Sequence, residues 1–361
     1  MKSKNEIQQE IINTILKNTF RGIVLASMRS GKTRILLESI KKHSENNNIK
    51  NPVILLAYPN TDIKNSWVEE CKKINYFPEI LFTTYLSLHK YEKTNFNYFI
   101  ADEAHLIGEE NQLPVLTNIC ANNKYCILAS GTYSKETLLV LSIYTNLKNI
   151  VNYTTEQAIL DGIVSDFTIY VHKYDLNNFD KIERGKVKKW NSTDKSECNR
   201  LTRMLFNSYG EAKKFAAINR MRFINSNNTL INIVNNWIAV NSEKRFLLFA
   251  ADENTGLKFN LPMFNSKSTS DKILLQFQSE EINQLCLIKK GSAGVTYKNL
   301  SNILITAINS NGENLEQAIG RSLLNDTEHS NIYIFVSTEE FQNKWLLKAL
   351  EGVTKEKIIN V

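Results

Sequence analysis

Short apolar runs alternate with amphipathic stretches along the first half of the chain. The apolar runs are rich in Ile, Val, Leu, Phe and Tyr, and they lie at 21–27, 51–58, 79–85, 97–103 and 125–130. Between them, 31–42 and 65–74 place apolar residues at helical spacing. Strands buried on both faces of a parallel sheet read as continuous apolar runs, and helices supply the crossovers. This half therefore predicts a doubly wound α/β domain.

The alternation stops after an apolar segment at 161–176 and resumes further along the chain. The stretch between is polar and basic, and its composition predicts helices. Apolar runs then return at 244–251, 282–290, 301–308 and 331–337. We expect two α/β domains, 1–155 and 156–361, with a short linker within 150–162 and a basic helical segment around 173–242.

The composition is that of a soluble globular protein, with 42% hydrophobic and 22% charged residues among 361. No apolar run approaches the roughly 18 residues that cross a bilayer, and no apolar region of a secretory signal follows the charged residues 1–10. The five cysteines are scattered and lack CxxC spacing, which argues against a disulfide framework and a zinc ribbon. We expect a cytoplasmic protein, bacterial or from a phage- or virus-infected cell, with no membrane partner.

Positive charge is concentrated in one part of the chain. The formal net charge is +7, from 44 basic and 37 acidic residues. Residues 173–222 hold 13 basic against six acidic residues, a local surplus equal to that of the whole chain. This surplus fits a polyanion-binding face, because neutralised phosphates release counterions, and it also fits a merely solvated surface. Lys186, Lys188 and Lys189 are our candidate nucleic-acid contacts.

A candidate phosphate-binding loop follows the first apolar run. The sequence ASMRSGKTR at 26–34 lies between that run and a helical pattern, which is the context such a loop requires. Gly31 lets the backbone approach the phosphates, Lys32 reaches the β- and γ-phosphates, and Thr33 offers its hydroxyl to Mg²⁺. Ala26 stands where the usual pattern has glycine. A helix N-terminus with a solvated lysine is the competing interpretation.

Two adjacent carboxylates end another apolar run. In NYFIADEAH at 97–105, Asp102 and Glu103 follow a strand pattern. Carboxylates at the end of an apolar strand are costly unless a cation uses them. We expect Asp102 to hold Mg²⁺ through water, and Glu103 to polarise the attacking water as a general base.

Four motifs follow one another along nearly the whole chain: ASMRSGKT at 26–33, DEAH at 102–105, LASGTY at 128–133 and QAIGRSLL at 317–324. As a set they resemble the motifs of superfamily 2 helicases and translocases. MRSGKT with SGTY is similar to the Swi2/Snf2-like branch or to the compact phage recombination and restriction-type branch. The resemblance implies two tandem RecA-like domains, with ATP and Mg²⁺ in the interdomain cleft and a nucleic-acid strand across both domains.

The resemblance also assigns roles to single positions. On the ATP side, Gln8 reads the adenine, and Arg29 and Ser30 complete the phosphate loop. The residues that couple the acidic pair to closure are His105, Ser130 and Thr132. The candidate neighbours of the nucleic acid or of the cleft are Thr84, Tyr85, Gly294, Val295 and Thr296. A polar turn after a strand explains Ser130 and Thr132 as well, and a lone His105 also fits a structural role.

One motif departs from the family pattern. Gln317 and Arg321 stand where the family places a residue facing the attacking water and the first of two arginines facing the γ-phosphate. The second arginine is replaced by Leu324, and no Lys or Arg follows until Lys344. An arginine finger contributes about 10³–10⁵ in rate in related enzymes. We therefore expect slow hydrolysis, or hydrolysis that a protein partner stimulates.

The sequence thus predicts an ATP hydrolase, a nucleic-acid-dependent helicase or translocase, with DNA favoured over RNA by the resemblance alone. Two alternatives remain open. One is a nucleotide-dependent nucleic-acid clamp with little turnover. The other is a packaging-motor ATPase, which also has a phosphate loop and a strand-end acidic pair, but which carries a nuclease with clustered carboxylates after the ATPase.

Overall fold

The computed structural model describes residues 2–27, 29–59, 62–108, 111–131, 133, 135–185, 189–265, 272–288, 299–308, 329–350 and 353–361. The chain divides into two compact units, Met1–Val164 and Ser165–Val361. No helix in the described part of the chain is long and apolar enough to span a membrane.

The first unit is built on a six-stranded sheet in the order β3-β2-β4-β5-β1-β6. Its strands are β1 (Arg21–Ala26), β2 (Val53–Tyr58), β3 (Glu79–Thr84), β4 (Tyr98–Asp102), β5 (Tyr125–Ser130) and β6 (Asn149–Tyr153). Every neighbouring pair is parallel. β4 is buried at all five positions, as its continuous apolar sequence requires. The predicted parallel sheet is confirmed.

Helices connect these parallel strands. They are α1 (Lys4–Lys17), α2 (Lys32–Asn46), α3 (Asp62–Lys73), α4 (Leu113–Asn122), α5 (Lys135–Thr145) and α6 (Thr155–Leu160), with short 3₁₀ helices at Tyr85–Tyr91 and Ala104–Leu106. α1 starts with a capping box, in which Ser3 and Glu6 exchange side-chain and backbone hydrogen bonds. α1 packs on α2, which begins at the candidate phosphate loop.

Three strands of this sheet end next to one another at its carboxyl edge. Leu25 of β1 is in register with Ser130 of β5, and Asp102 of β4 is in register with Ala129 of β5. The loop after β1, the acidic pair after β4 and Ser130 therefore converge on one edge. The crevice at such an edge is where open α/β sheets bind ligands.

The second unit contains a seven-stranded sheet in the order β11-β12-β10-β13-β14-β7-β15. Its described strands are β7 (Asp166–Tyr174), β10 (Phe246–Ala250), β11 (Met263–Phe264), β12 (Gln284–Ile288), β13 (Asn302–Ile305), β14 (His329–Ser337) and β15 (Ile358–Asn360). All neighbouring pairs are parallel. The described helices beside this sheet are α9 (Asn228–Val240), α10 (Glu253–Leu257), α11 (Lys272–Gln278) and α12 (Glu340–Ala349), with a 3₁₀ helix at Lys355–Lys357.

The segment predicted as basic and helical, 173–242, is only partly helical. It starts within β7, and an antiparallel hairpin of β8 (Ile182–Arg184) and β9 (Trp190–Ser192) comes before its first helix. Two helices follow, α7 (Asp194–Phe206) and α8 (Gly210–Ile224), before α9. The hairpin strands have three residues each, too few for a period-two pattern to show in the sequence.

The division between the units lies at Val164 and Ser165, later than the predicted end of the first domain at residue 155. α6 accounts for the difference. Thr154, just after β6, caps α6 by accepting a hydrogen bond from the Gln157 backbone, and Tyr153 donates to Asp161 at 3.2 Å. α6 is therefore tied to the first sheet.

Candidate active site

The loop after β1 has no room for a side chain at Gly31. This residue has a φ of +87° and caps the N-terminus of α2. An ideal Cβ at this position would lie 2.3 Å from Nε2 of Gln8. That nitrogen donates a hydrogen bond to the Ser30 carbonyl at 2.8 Å, so α1 holds the loop. Arg29 is also left-handed, with a φ of 67°, and gives the loop its tight curvature.

Ser30 carries a buried hydroxyl at the centre of this loop. The residue is 1% exposed, and among the described residues no group hydrogen-bonds its Oγ. Its backbone N–H donates to the Ser27 carbonyl at 3.2 Å. A buried hydroxyl without a partner is costly unless a ligand uses it. The loop therefore has donor capacity that fits a phosphate oxygen.

Lys32 bridges the loop and the acidic pair. Its Nζ lies 2.5 Å from Oε1 of Glu103 and 3.1 Å from Oδ1 of Asp102. Burial lowers the pKa of Lys32, but the charges of Asp102 and Glu103 outweigh this effect and hold the pKa above its ordinary value. Lys32 is therefore an ammonium at neutral pH, lodged between two carboxylates.

Glu103 ends β4 in a left-handed conformation, with a φ of 54° and a ψ of 48°. Its backbone N–H donates to Oδ1 of Asp102 at 3.0 Å. Successive side chains of a strand point to opposite faces, and this bend lets both carboxylates reach one lysine. Burial raises the pKa of Glu103, but the charge of Lys32 outweighs it, so the net pKa lies below its ordinary value.

Two buried aromatic residues hold Asp102 in place. Trp67, on α3, donates from Nε1 to Oδ2 of Asp102 at 2.9 Å, and its side chain is fully buried. Tyr85 donates from its hydroxyl to the backbone carbonyl of Asp102 at 2.6 Å. The role of Trp67 could not be predicted, because an apolar position in a helical pattern indicates only burial. Oδ1 of Asp102 meets Lys32 and Oδ2 meets Trp67, which fixes the plane of this carboxylate.

His105 and Ser130 extend the site along the same edge. Nδ1 of His105 lies 2.6 Å from Oγ of Ser130, and that hydroxyl donates to Oε2 of Glu103 at 3.4 Å. Burial holds the pKa of His105 below its usual range, although Glu103 acts in the opposite direction. The imidazole is therefore neutral at pH 7. The two residues lie next to the acidic pair, where the resemblance places a coupling role.

The architecture matches solved structures of another protein. A variant of S. cerevisiae Dbp5 bound to RNA and ADP BeF3 is 11% identical, with a TM-score of 0.58, over 99% of this chain and 89% of that chain. S. cerevisiae Dbp5 bound to RNA and ADP BeF3 is 12% identical, with a TM-score of 0.54, over 98% and 89%. No family profile and no curated protein sequence matches the chain. The two parallel-sheet α/β domains share the tandem RecA-like fold of Dbp5.

In the first RecA-like domain, Tyr85 was predicted as a neighbour of the nucleic acid or of the cleft. The structure places its side chain in the core at 4% exposure, where the hydroxyl binds the carbonyl of Asp102. The apolar environment of the 3₁₀ helix after β3 draws the ring inward, where it packs in the core of the domain. Thr84 lies half-buried at the end of β3, and Leu86 is 77% exposed. Of these three side chains, Leu86 is the most exposed to solvent.

Gln8 has a contact that the sequence did not predict. The expected adenine contact is a proposal about a bound nucleotide, whereas the structure shows the amide holding the Ser30 carbonyl from within the core, at 6% exposure. Thr33 lies half-buried in the first turn of α2, beside Lys32. Gln8 therefore supports the candidate phosphate loop through its hydrogen bond to Ser30.

Several predicted site residues lie outside the described residues. They are Thr132, Lys186, Lys188, Gly294, Val295, Thr296, Gln317, Arg321 and Leu324. Lys189 is described: its Nζ pairs with Oε1 of Glu183 at 2.8 Å, and both side chains are mostly exposed. An exposed pair of this kind contributes little to stability and leaves the lysine available to an anion.

Much of the predicted basic segment is paired within the second RecA-like domain. Arg184 binds Asp194 at 2.5 Å, and Arg200 binds Glu197 at 2.6 Å. Lys195 pairs with Glu339 at 2.6 Å. These three cations are paired with carboxylates of the same domain. Fewer cations are therefore available to bind a polyanion than the net charge of the segment suggests.

The donor set fits one Mg²⁺ ion that is shared with a phosphate. In the part of the chain that the structure describes, no group of three His, Cys, Asp or Glu side chains could hold a metal on its own. Mg²⁺ characteristically takes one or two carboxylates together with substrate phosphates and water. Asp102, with the hydroxyl of Thr33 at the start of α2, provides such a partial set.

Proposed function

We propose that the chain is a nucleic-acid-dependent ATPase of the superfamily 2 helicase and translocase type. The observation that carries the proposal is Lys32, which follows the tight loop of Gly31 and contacts both Asp102 and Glu103. A lysine at the start of a helix, a loop with donor groups and an adjacent carboxylate pair are the first-domain parts of a phosphoryl-transfer site.

ATP binding requires Lys32 to exchange its carboxylate partners for phosphate oxygens. The backbone N–H groups at the start of α2 and the unpartnered Ser30 hydroxyl receive the same phosphates. Asp102 and Thr33 would hold Mg²⁺, which supplies positive charge to the phosphates when bound. Trp67 keeps Asp102 oriented throughout, because its indole binds the oxygen that Lys32 does not use.

This exchange also prepares Glu103 as a general base. The charge of Lys32 holds the pKa of Glu103 below its ordinary value, and a carboxylate in this state is a weak proton acceptor. When Lys32 turns to the phosphates, Glu103 loses this direct contact and its proton affinity rises. Binding of phosphate and activation of the base are then linked through one ammonium group.

The remaining parts of the mechanism come from the sequence. Arg321 would contact the γ-phosphate and Gln317 the attacking water, so that ATP favours closure of the cleft between the domains and hydrolysis permits opening. Leu324 in place of the second arginine favours a second candidate, a nucleotide-dependent clamp with little turnover. The packaging-motor alternative has less support, because the fold matches helicase structures along its length.

The type of nucleic acid is a separate proposal. The resemblance of MRSGKT and SGTY favours DNA, whereas both Dbp5 structures contain RNA. The deciding experiment measures ATP turnover with single-stranded DNA, duplex DNA, forked DNA and RNA. Turnover should rise with at least one of them, and the ranking identifies the substrate.

Lys32→Ala should lower this turnover by about 100-fold or more. Lys135→Ala, at the first residue of α5, is the matched control and should leave turnover unchanged. Turnover that ignores every nucleic acid would rule out the motor. Binding that depends on ATP without measurable turnover would identify the clamp.

A further inference from the structure

The two helices between β7 and α9 form a helical hairpin on the second RecA-like domain. α7 and α8 pack against each other and are joined by residues 207–209. Our term "hairpin tip" means the end of α7, this connection and the first turns of α8, residues 203–215. Among the hydrophobic residues of α8, only Ala216 and Ile224 are buried, so most of that helix faces solvent.

The base of the hairpin is firmly fixed to the domain. Asp194, at the start of α7, binds Arg184 and also accepts hydrogen bonds from the backbone and hydroxyl of Thr229, at 2.8 and 2.6 Å. The guanidinium of Arg220, on α8, lies 4.0 Å from the ring centroid of Phe341 on α12. The hairpin is thus a supported projection.

Three aromatic side chains stand in solvent at or beside the tip. Phe206 is 76% exposed, Tyr209 is 84% exposed and Phe215 is 65% exposed. The Lys213 backbone N–H donates to the Tyr209 carbonyl at 3.4 Å, so these two residues lie one helical turn apart. Burying such rings stabilises a protein, and three of them left in water on one projection indicate a binding surface.

The charge around these rings is positive. Residues 203–215 hold three basic residues, Arg203, Lys213 and Lys214, and one acidic residue, Glu211. Glu211 is already paired with Lys214 at 2.9 Å. Among the described residues, no carboxylate lies within ion-pair distance of Arg203 or Lys213. The surface therefore combines flat apolar rings with cations that have no counter-ion in the described part of the chain.

We propose that the hairpin tip binds single-stranded nucleic acid, with bases stacked on Phe206, Tyr209 and Phe215 and phosphates held by Arg203 and Lys213. Aromatic platforms beside positive charge are the combination that such strands recognise. Lysine is depleted at protein–protein interfaces, whereas the positive charge of this surface includes two lysines. The site adds to the function proposed above, and its test needs no ATP.

The test measures the affinity of the full chain for a fluorescently labelled single-stranded RNA and for the DNA of the same sequence, without nucleotide. The triple variant Phe206→Ala, Tyr209→Ala, Phe215→Ala should bind at least about tenfold more weakly, since one stacked base contributes about 1–3 kcal/mol, or roughly 5- to 150-fold. Phe77→Ala, 68% exposed on the first domain, is the control and should bind like the wild type. The melting temperature of the triple variant should stay near that of the wild type.

An abasic strand separates stacking from charge. The wild type should lose affinity for the abasic strand, and the triple variant should bind both strands equally. Lys213→Glu should reduce the salt dependence of binding, because a phosphate contact is lost. The RNA and DNA arms identify which strand binds more tightly.

Equal affinity of the wild type and the triple variant for both labelled strands would overturn the proposal. The same holds if the triple variant changes only the oligomeric state in sedimentation, because the rings would then be a self-association surface. If ATP turnover does not change with any nucleic acid while strand affinity still depends on the three aromatic residues, that result would contradict the nucleic-acid-dependent ATPase and support the binding site at the hairpin tip.

Discussion

The indole nitrogen of Trp67 donates to Oδ2 of Asp102 at 2.9 Å, and both side chains are buried. The oxygen that remains, Oδ1, meets Lys32 and the backbone N–H of Glu103. A residue on α3 thus determines which oxygen of the carboxylate faces the phosphate loop. The geometry of the site depends on a helix that contributes no charge to it.

Trp67→Phe removes this donor while keeping an aromatic ring in the core. We expect the free energy of unfolding to fall by about 1.5–3 kcal/mol, the usual contribution of a hydrogen bond to a charged group. The Mg²⁺ concentration for half-maximal ATP binding should also rise, because Asp102 can rotate. Denaturant titration and fluorescent-nucleotide binding at varied Mg²⁺ measure the two effects. Trp237→Phe, at a partly buried position packed against the core of the second domain, should change stability only; an unchanged Mg²⁺ requirement in Trp67→Phe would contradict the assignment.

Gly31→Ala tests the phosphate loop. The left-handed backbone costs about 1–2 kcal/mol for a residue with a Cβ, and the new methyl group would clash with Gln8, 2.3 Å away. In a Gln8→Ala background the clash disappears and the backbone cost remains, so the substitution should be less destabilising there. Thermal unfolding of the two single variants and the double variant gives this coupling. Additive effects would show that Gln8 does not confine the loop.

Glu103→Gln tests the ion pair through its pH dependence. The pKa of Glu103 is depressed in the folded chain, so its charge stabilises the fold above the ordinary value of 4.5. This contribution is lost as the pH falls from that value through the folded pKa, because the unfolded chain then binds more protons. The variant should therefore be less stable than the wild type at pH 7 and approach it in acid. Chemical denaturation from pH 3 to 7 measures the difference, with the exposed Glu136→Gln as control; a gap that does not narrow in acid would exclude the pair as its source.

Leu324→Arg restores the arginine that the motif lacks. If Arg321 is the lone arginine at the γ-phosphate, the variant should raise kcat by roughly tenfold or more, within the range of arginine fingers. Steady-state turnover at saturating ATP and nucleic acid is the measurement. An unchanged rate, with Arg321→Ala still inactive, would show that a second arginine is dispensable here.

Much of the fold could be predicted from the sequence because its central strands are buried on both faces. The run predicted at 125–130 is β5 with the same bounds, and the runs at 97–103 and 331–337 differ from β4 and β14 by at most two residues at each end. β6 was missed, since NIVNY mixes apolar residues with Asn at a sheet edge. The short pair β8 and β9 was missed because neither strand is long enough to show a period.

Charged residues of the site could be predicted where they directly follow an apolar run in the sequence. Asp102 and Glu103 were found in this way and Lys32 through the loop pattern, and the structure brings the three together. The hydrogen bonds of Trp67 and Tyr85 to Asp102 were not predicted, because the pattern around an aromatic residue does not indicate which group its polar atom binds. That partner depends on which element packs against β4, a tertiary relationship that no local pattern contains.

The ammonium of Lys32 between two carboxylates has a consequence for the order of binding. A divalent ion arriving alone meets two carboxylates whose combined charge is partly neutralised by one ammonium group, and it must compete with this side-chain cation at contact distance. A nucleotide that arrives with its own metal would bring phosphate groups for Lys32 to bind. The two carboxylates would then be free to face the metal. If the chain binds ATP as we propose, the site would therefore favour a nucleotide that brings its own metal over free metal.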